Sequence, residues 1–300
     1  MEGQEAVFRM SNYSPLRYPG GKSALYPVIS SVITTNKLKR CVYIEPFAGG
    51  ASIACNLLIG GEVDRVIIND ADKAVYSFWR LVLESPPWLI KKIRETPVTV
   101  DEWRIQRDIL RKAKRYSKEL GFAMFFLNRT NRSGILDAGP IGGYEQSGEY
   151  KIDCRFNREA LIEKIQKIAL HRNKIKVYNQ DASVFLKRFL PSKQDAHDVL
   201  IYLDPPYYEK GQRLYMNSFT SKDHEKLRDA VSLLDCKWIM TYDNAIEIEE
   251  LYQGYYTQHF SINYSLSRKR KGDELIIFKD RSCMPPANSL FKLSKAVSLN

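Results

Sequence analysis

Two periods of apolar residues alternate along this chain. Short β-prone runs at Cys41–Glu45, Arg65–Asn69, Ile175–Tyr178, Val199–Leu203 and Lys237–Tyr242 read as strands, and the Val199–Leu203 run is apolar throughout, as a strand covered on both faces should be. Between them, apolar residues recur at helical spacing over Ser52–Leu58, Asn157–Leu170, Ala182–Phe189 and Lys222–Leu234. Strands alternating with helices predict an α/β fold built on a doubly wound, mostly parallel sheet. Two further runs, Tyr255–Ile262 and Glu274–Phe278, have no helix between them and predict a terminal antiparallel hairpin. From Lys73 to Leu127 the strand signals stop while helical ones continue, so the sheet is interrupted by an inserted, mainly helical domain. The resulting partition is a discontinuous domain of residues 14–78 and 160–281 and an insertion of residues 79–159.

Inside the insertion, Pro86, Pro87, Pro97 and Gly121 punctuate the pattern, and one helix is predicted from about Asp101 to Leu120. Arg104, Arg107, Arg111, Arg115 and Lys118 recur at three- and four-residue steps and share a face, with Ile105, Ile109, Ala113, Tyr116 and Leu120 opposite. Such a strip suits a phosphate backbone and equally suits solvent. A long polar loop from Asn128 to Gly148 follows, whose Arg129, Asn131 and Arg132 can either address base edges or tie the loop to the rest of the protein.

The strand ends carry the candidate chemistry. Pro205 and Pro206 end the Val199–Leu203 run, since neither can donate to a sheet ladder. Asp204 and the Pro205 carbonyl can accept the two N–H groups of an aromatic amine, and Tyr207 offers a ring face for a heterocycle; the same four residues would also make an ordinary turn. After the first strand, Glu45-Pro46-Phe47-Ala48-Gly49-Gly50 turns into a helix, with bare backbone at the glycines and Phe47 as a cover, and Asp70 ends the second strand about twenty residues on, where dinucleotide folds place a ribose acceptor. Asp181 follows the third strand and can cap the next helix. Tyr18-Pro19-Gly20-Gly21-Lys22 is not a phosphate loop, because Leu16 stands where that motif needs its first glycine, but Lys22 can pair with a carboxylate.

Composition adds a partner. The 300 residues are 44% hydrophobic, enough for a sizeable core, and carry a net charge of +11, which points to a polyanion. Cys41, Cys55, Cys154, Cys236 and Cys283 lack metal or redox spacing and read as reduced core thiols; the four histidines are scattered, so no metal is implied. No leader pattern and no apolar run long enough for a membrane span are present, which predicts a cytoplasmic protein.

The stretches Ser14–Lys22 (SPLRYPGGK), Tyr43–Ser52 (YIEPFAGGAS), Asn69-Asp70 and Asp204-Pro205-Pro206-Tyr207, in this order, resemble the motifs of the Dam-type, or D12 class, DNA adenine-N6 methyltransferases. The resemblance spans roughly residues 14 to 280 and is loose between about 80 and 170. It implies a Rossmann-like methyltransferase sheet, S-adenosylmethionine as cofactor and methyl transfer to N6 of an adenine flipped out of duplex DNA. By the same resemblance Asp204 to Tyr207 are catalytic, Tyr18 and Lys22 meet the methionine part of the cofactor, Glu45 to Gly50 and Asp70 line its site, and Asp181 accepts from its adenine amine. The polar loop corresponds to a base-reading hairpin but departs from the Dam proteins there, so no recognition sequence is inherited. A cognate restriction endonuclease is a partner such enzymes can have. Cytosine-N4 transfer is disfavoured by Asp204, where those enzymes begin with serine, and RNA adenine transfer by the helical insertion. A non-catalytic DNA-binding protein with a vestigial site is disfavoured by the intact Lys22, Asp70, Asp204 and Tyr207.

Overall fold

The structure, a computed structural model, describes residues 12–17, 22–38, 40–188, 198–208, 219–264 and 270–285. Its centre is a seven-stranded sheet of β1 (Val42–Glu45), β2 (Arg65–Asn69), β3 (Ile175–Tyr178), β4 (Val199–Leu203), β5 (Lys237–Asp243), β6 (Tyr256–Tyr264) and β7 (Arg270–Phe278), in the order β3-β2-β1-β4-β5-β7-β6. The first five strands of that order run parallel, and β7 is antiparallel to both β5 and β6. The α/β, doubly wound reading and the terminal hairpin therefore hold. β1 lies between β2 and β4, so the winding reverses there, and the crevice at the carboxyl ends of β1 and β4 is where such sheets take ligands.

Alternate side chains sort onto two cores because strand residues point to opposite faces. Tyr43, Leu200, Tyr202 and Ile239 face a core built with α1 (Tyr26–Thr35), α2 (Ser52–Ile59), α3 (Lys73–Glu84) and α7 (Arg158–Leu170). Ile44, Ile201, Leu203, Trp238 and Met240 face another, covered by α8 (Ala182–Arg188), α9 (Ser221–Ser232) and α10 (Ile246–Leu251). The insertion contributes α4 (Pro86–Glu95), α5 (Val100–Lys112) and α6 (Lys118–Thr130), whose Leu89, Trp103, Phe122 and Phe125 join the first core. The sequence boundaries at 79 and 159 fall within α3 and α7.

Several local expectations change. Pro86 and Pro87 do punctuate the chain, following the end of α3 and opening α4 at positions where a missing N–H costs nothing. Gly121 is no break: it lies inside α6, where a Cβ would stand 2.6 Å from the Ser77 carbonyl, so glycine lets α6 cross α3 backbone to backbone. The single helix from Asp101 to Leu120 is two. Arg111 and Lys112 complement the C-terminal end of α5, and the Ser117 hydroxyl caps α6 by accepting from the Leu120 N–H at 3.0 Å. The apolar face also differs from the expectation, since within α5 Trp103 and Gln106 are buried and Ile105 is 54% exposed, while Arg104 and Arg111 stay on the outside. Cys41, Cys55, Cys236 and Cys283 are buried thiols, but Cys154 is exposed and is not part of the core.

Candidate active site

The turn after β1 is held by hydrogen bonds at all its residues but Phe47. Glu45, at the end of the strand, is 4% exposed and its Oε1 accepts from the Ala54 N–H at 3.1 Å, supplying to α2 a cap that Ala51 cannot. Burial pushes the Glu45 carboxyl up to about 8. The Pro46 carbonyl accepts from Asn69 Nδ2, the Ala48 N–H donates to the Asn69 carbonyl, the Gly49 N–H donates to Asp70 Oδ2 and the Gly50 carbonyl accepts from Ser14 Oγ at 2.5 Å. Trp79 Nε1 closes the set by donating to the Gly49 carbonyl at 2.9 Å. Gly49 and Ala51 have φ of 44° and 43°, the left-handed region, so the chain reverses sharply and leaves main chain facing the crevice.

Asp70 receives two backbone N–H groups, from Gly49 at 2.8 Å and from Asp72 at 2.9 Å, yet burial still pushes its carboxyl up to about 7. Asp181 uses one oxygen, Oδ1, to cap α8 through Ser183 and Val184, which is the capping role open to it from the sequence. It also lines a cleft of about 320 Å³ with Ser183, Phe219 and Asp223, and Phe219 meets the Phe47 ring edge-on at 5.8 Å. The structure thus brings Glu45, Phe47, Gly49, Asp70 and Asp181 to one edge of the sheet. Tyr18 lies outside the described residues.

Beside them, Asp204 leaves the carboxyl end of β4. Its Oδ1 accepts from Thr241 Oγ1 at 3.0 Å and lies 3.4 Å from Lys22 Nζ. Pro205 is buried and Pro206 half-buried. Tyr207 is only 7% exposed: its hydroxyl donates to Glu274 Oε1 at 2.6 Å and accepts from Lys22 Nζ at 2.8 Å, while Lys22 also stands 2.5 Å from Glu274 Oε2. Burial pushes the Glu274 carboxyl up against the pull of Lys22, and the two carboxylates hold the Lys22 ammonium above its usual value in spite of its burial. Sequence reasoning missed Glu274, Thr241 and Trp79. The acidic pair Asp273-Glu274 heading the apolar run Leu275–Phe278 is the one signal that pointed to the first.

The residues assigned to DNA divide. Arg111 and Arg132 are exposed, and Arg107 lies half-exposed over the Trp103 ring, 4.8 Å from its centroid. Asn131 is fully buried: it accepts from Trp103 Nε1 at 2.5 Å and donates to the Ile135 and Leu136 carbonyls, so its amide holds the loop and presents nothing outward. Arg129 belongs to α6, not to a loop; its guanidinium donates to the Arg155 carbonyl, and burial lowers it to about 10, with Arg17 and Arg155 adding repulsion. Neither residue is placed to read a base, because a side chain satisfied inside the protein must break those bonds to do so. Among the described residues no group of three His, Cys, Asp or Glu could hold a metal ion, and no helix is long and apolar enough to cross a membrane.

Comparison with known proteins follows the same lines. A model of the family described as D12 class N6 adenine-specific DNA methyltransferase matches residues 18–267. The Type II methyltransferase M.MjaIII of Methanocaldococcus jannaschii is 25% identical over 224 residues, 69% of this chain and 73% of that protein. Among solved structures, the rRNA methyltransferase aviRa from Streptomyces viridochromogenes superimposes with a TM-score of 0.35 at 14% identity, over 84% of this chain and 82% of its own. An rRNA methylase from Streptococcus thermophilus gives 0.36 at 7% identity, over 85% and 97%.

Proposed function

From the premise that this chain belongs to the D12 class N6 adenine-specific DNA methyltransferases, we propose that it transfers the methyl group of S-adenosylmethionine to N6 of an adenine turned out of duplex DNA. The observation that carries the reading is the position of Asp204, oriented by Thr241 and Lys22 at the crevice, beside an edge rich in acceptors. That edge fits the cofactor by the chemistry of its donors and acceptors. Of Glu45, Asp70, Asp181 and Asp204, Asp204 is paired with Lys22, and burial has already raised Glu45 and Asp70, so a ligand bearing hydroxyls, an amine and a positive charge suits what this edge offers. Asp70 would take the ribose hydroxyls, Asp181 Oδ2 and Phe47 the adenine, and the backbone of Gly49 and Gly50 would lie against the rest.

When bound, S-adenosylmethionine supplies an electrophilic methyl on a cationic sulfur. The protein's part is to make the amine a nucleophile and to aim it. An adenine N6 lone pair is delocalised into its ring; Asp204 and the Pro205 carbonyl, accepting its two N–H groups, draw it toward tetrahedral geometry, and positioning does the remainder. Both contacts to Asp204 fall on Oδ1, and Oδ2 is bonded by no described residue, which leaves an oxygen for the amine. Tyr207 follows at the same strand end, and a face of its ring would replace part of the stacking the base has lost.

The insertion, residues 79–159, serves in this reading as the DNA-recognition part. Arg107 and Arg111 meet phosphates and Arg132 reaches a base edge, with the net charge of +11 adding a general attraction. The setting is the cytoplasm, and the Type II relative makes a cognate restriction endonuclease part of the proposal. The test is to incubate the protein with methyl-labelled S-adenosylmethionine and duplex DNA, digest to nucleosides and identify the labelled one. N6-methyladenosine in its deoxy form is expected; N4-methylcytosine, or label entering RNA alone, overturns the reading.

A further inference from the structure

Glu274 is a carboxylate with no exposure, placed in the middle of β7 where that strand begins to pair with β5, directly opposite Asp243 of β5, itself buried. Like charges paired across strands destabilise a sheet, and a buried carboxylate costs more unless it is bonded on both oxygens. Glu274 is so bonded, Oε1 by the Tyr207 hydroxyl and Oε2 by Lys22. Asp243 in turn accepts from the Tyr208 N–H at 2.8 Å. The Asp204–Tyr208 segment is thus gripped by two acids facing each other across β5 and β7, one on its side chain and one on its backbone.

The distances are unequal in an informative way. Lys22 Nζ stands 2.5 Å from Glu274 and 3.4 Å from Asp204, with the Tyr207 hydroxyl at 2.8 Å, so one ammonium serves two carboxylates and favours the one farther from the crevice. Without Glu274 the same ammonium would have a single carboxylate partner and would close on Asp204 Oδ1, turning that carboxylate out of the orientation that offers Oδ2 to the target amine. We propose that Glu274 is a positioning residue for methyl transfer: by holding Lys22 and the Tyr207 hydroxyl it keeps Asp204 open to the amine and fixes the Tyr207 ring in one orientation. The proposal rests on the methyltransferase reading above and assigns the work to a side chain that does not itself touch the substrate.

The experiment measures kcat and KM, for DNA and for S-adenosylmethionine, in Glu274→Gln, Lys22→Met and the double variant. Glu274→Gln keeps the shape and one acceptor but loses the charge that holds the lysine. It should lower kcat roughly 30-fold, less than removal of a group that touches the reacting atoms, with both KM values within about threefold of wild type. Because Glu274 acts through Lys22, adding Glu274→Gln to Lys22→Met should cost no more than about threefold further. Tyr207→Phe removes the bridging hydroxyl without touching either charge, so it reads the same linkage if the buried substitution impairs folding; a smaller loss, again in kcat and not in KM, is expected. Wild-type kcat in Glu274→Gln or in Tyr207→Phe, losses confined to KM, or multiplicative losses in the double variant would each overturn the proposal. Failure of the methyltransferase reading looks different, since wild-type protein would then form no N6-methylated product in the same assay.

Discussion

The carboxyl edge of the sheet and the outer surface of the insertion hold their charges in opposite ways. At the edge, Glu45 is buried and Asp70 half-buried, both accept from main-chain N–H groups, and burial has raised Glu45 to about 8 and Asp70 to about 7. On the insertion, cations stand in solvent: Arg111 and Arg132 are exposed, Arg104 is paired with Asp101 at 2.8 Å and Lys112 with Asp108 at 2.9 Å. A buried acid is expensive and selects a particular donor, whereas an exposed cation is cheap and accepts any phosphate. In the proposed reading the contrast corresponds to chemistry at the edge and DNA attachment on the insertion, and each assignment can be broken separately.

The largest effect should come from Asp204→Ala. Its kcat should fall about 10³-fold, roughly 4 kcal/mol of barrier, with DNA affinity changed by less than about threefold, since phosphate contacts supply most of the binding. Gel-shift and turnover assays on the same preparation check this. Asn131→Leu comes next and acts on the insertion's frame, not on its charges. Three buried partners, the Trp103 indole N–H and the Ile135 and Leu136 carbonyls, lose their bonds, and thermal unfolding should report a loss of about 3 kcal/mol.

Asp70 gives a smaller effect with a definite sign. Its folded-state carboxyl sits at about 7, above the unfolded value of 3.8, so its contribution to stability is greatest at low pH and is lost as pH rises from about 4 through 7. Cofactor affinity runs the other way, because only the ionised carboxylate is a full acceptor: calorimetry should show affinity increasing through about pH 7. Asp70→Asn should flatten that rise and weaken binding about tenfold at pH 8. The smallest effect belongs to Arg132→Ala, which should relax preference at one base pair by about 1 kcal/mol, seen when methylated sites are profiled by sequencing; unchanged preferences would remove Arg132 from base reading.

How much of this was legible in the sequence follows from the range of the interactions. β2, β3 and β4 begin and end where their apolar runs do, and Asp70, Asp181 and Asp204 stand at the strand ends where spacing placed them, because strand, turn and cap are decided within a few residues. The insertion was not legible in the same way. Asn128 receives the Arg17 N–H and donates to the Arg17 carbonyl across 111 residues of sequence, Asn131 holds Trp103 from 28 residues away, and Gly121 is required by a backbone in another helix. A polar, arginine-rich loop and a polar, arginine-rich internal brace have the same composition. Glu274 escaped for the same reason, its partners Lys22 and Tyr207 lying 252 and 67 residues away.

The separation of chemistry from attachment is tested most directly by the single-turnover rate of an Arg107→Ala/Arg111→Ala double variant at saturating DNA and cofactor. The account predicts weaker DNA binding, with a salt dependence shallower by up to about two units, and a wild-type rate once DNA saturates. A saturated rate that falls toward that of Asp204→Ala would place part of the chemistry on the insertion and contradict it.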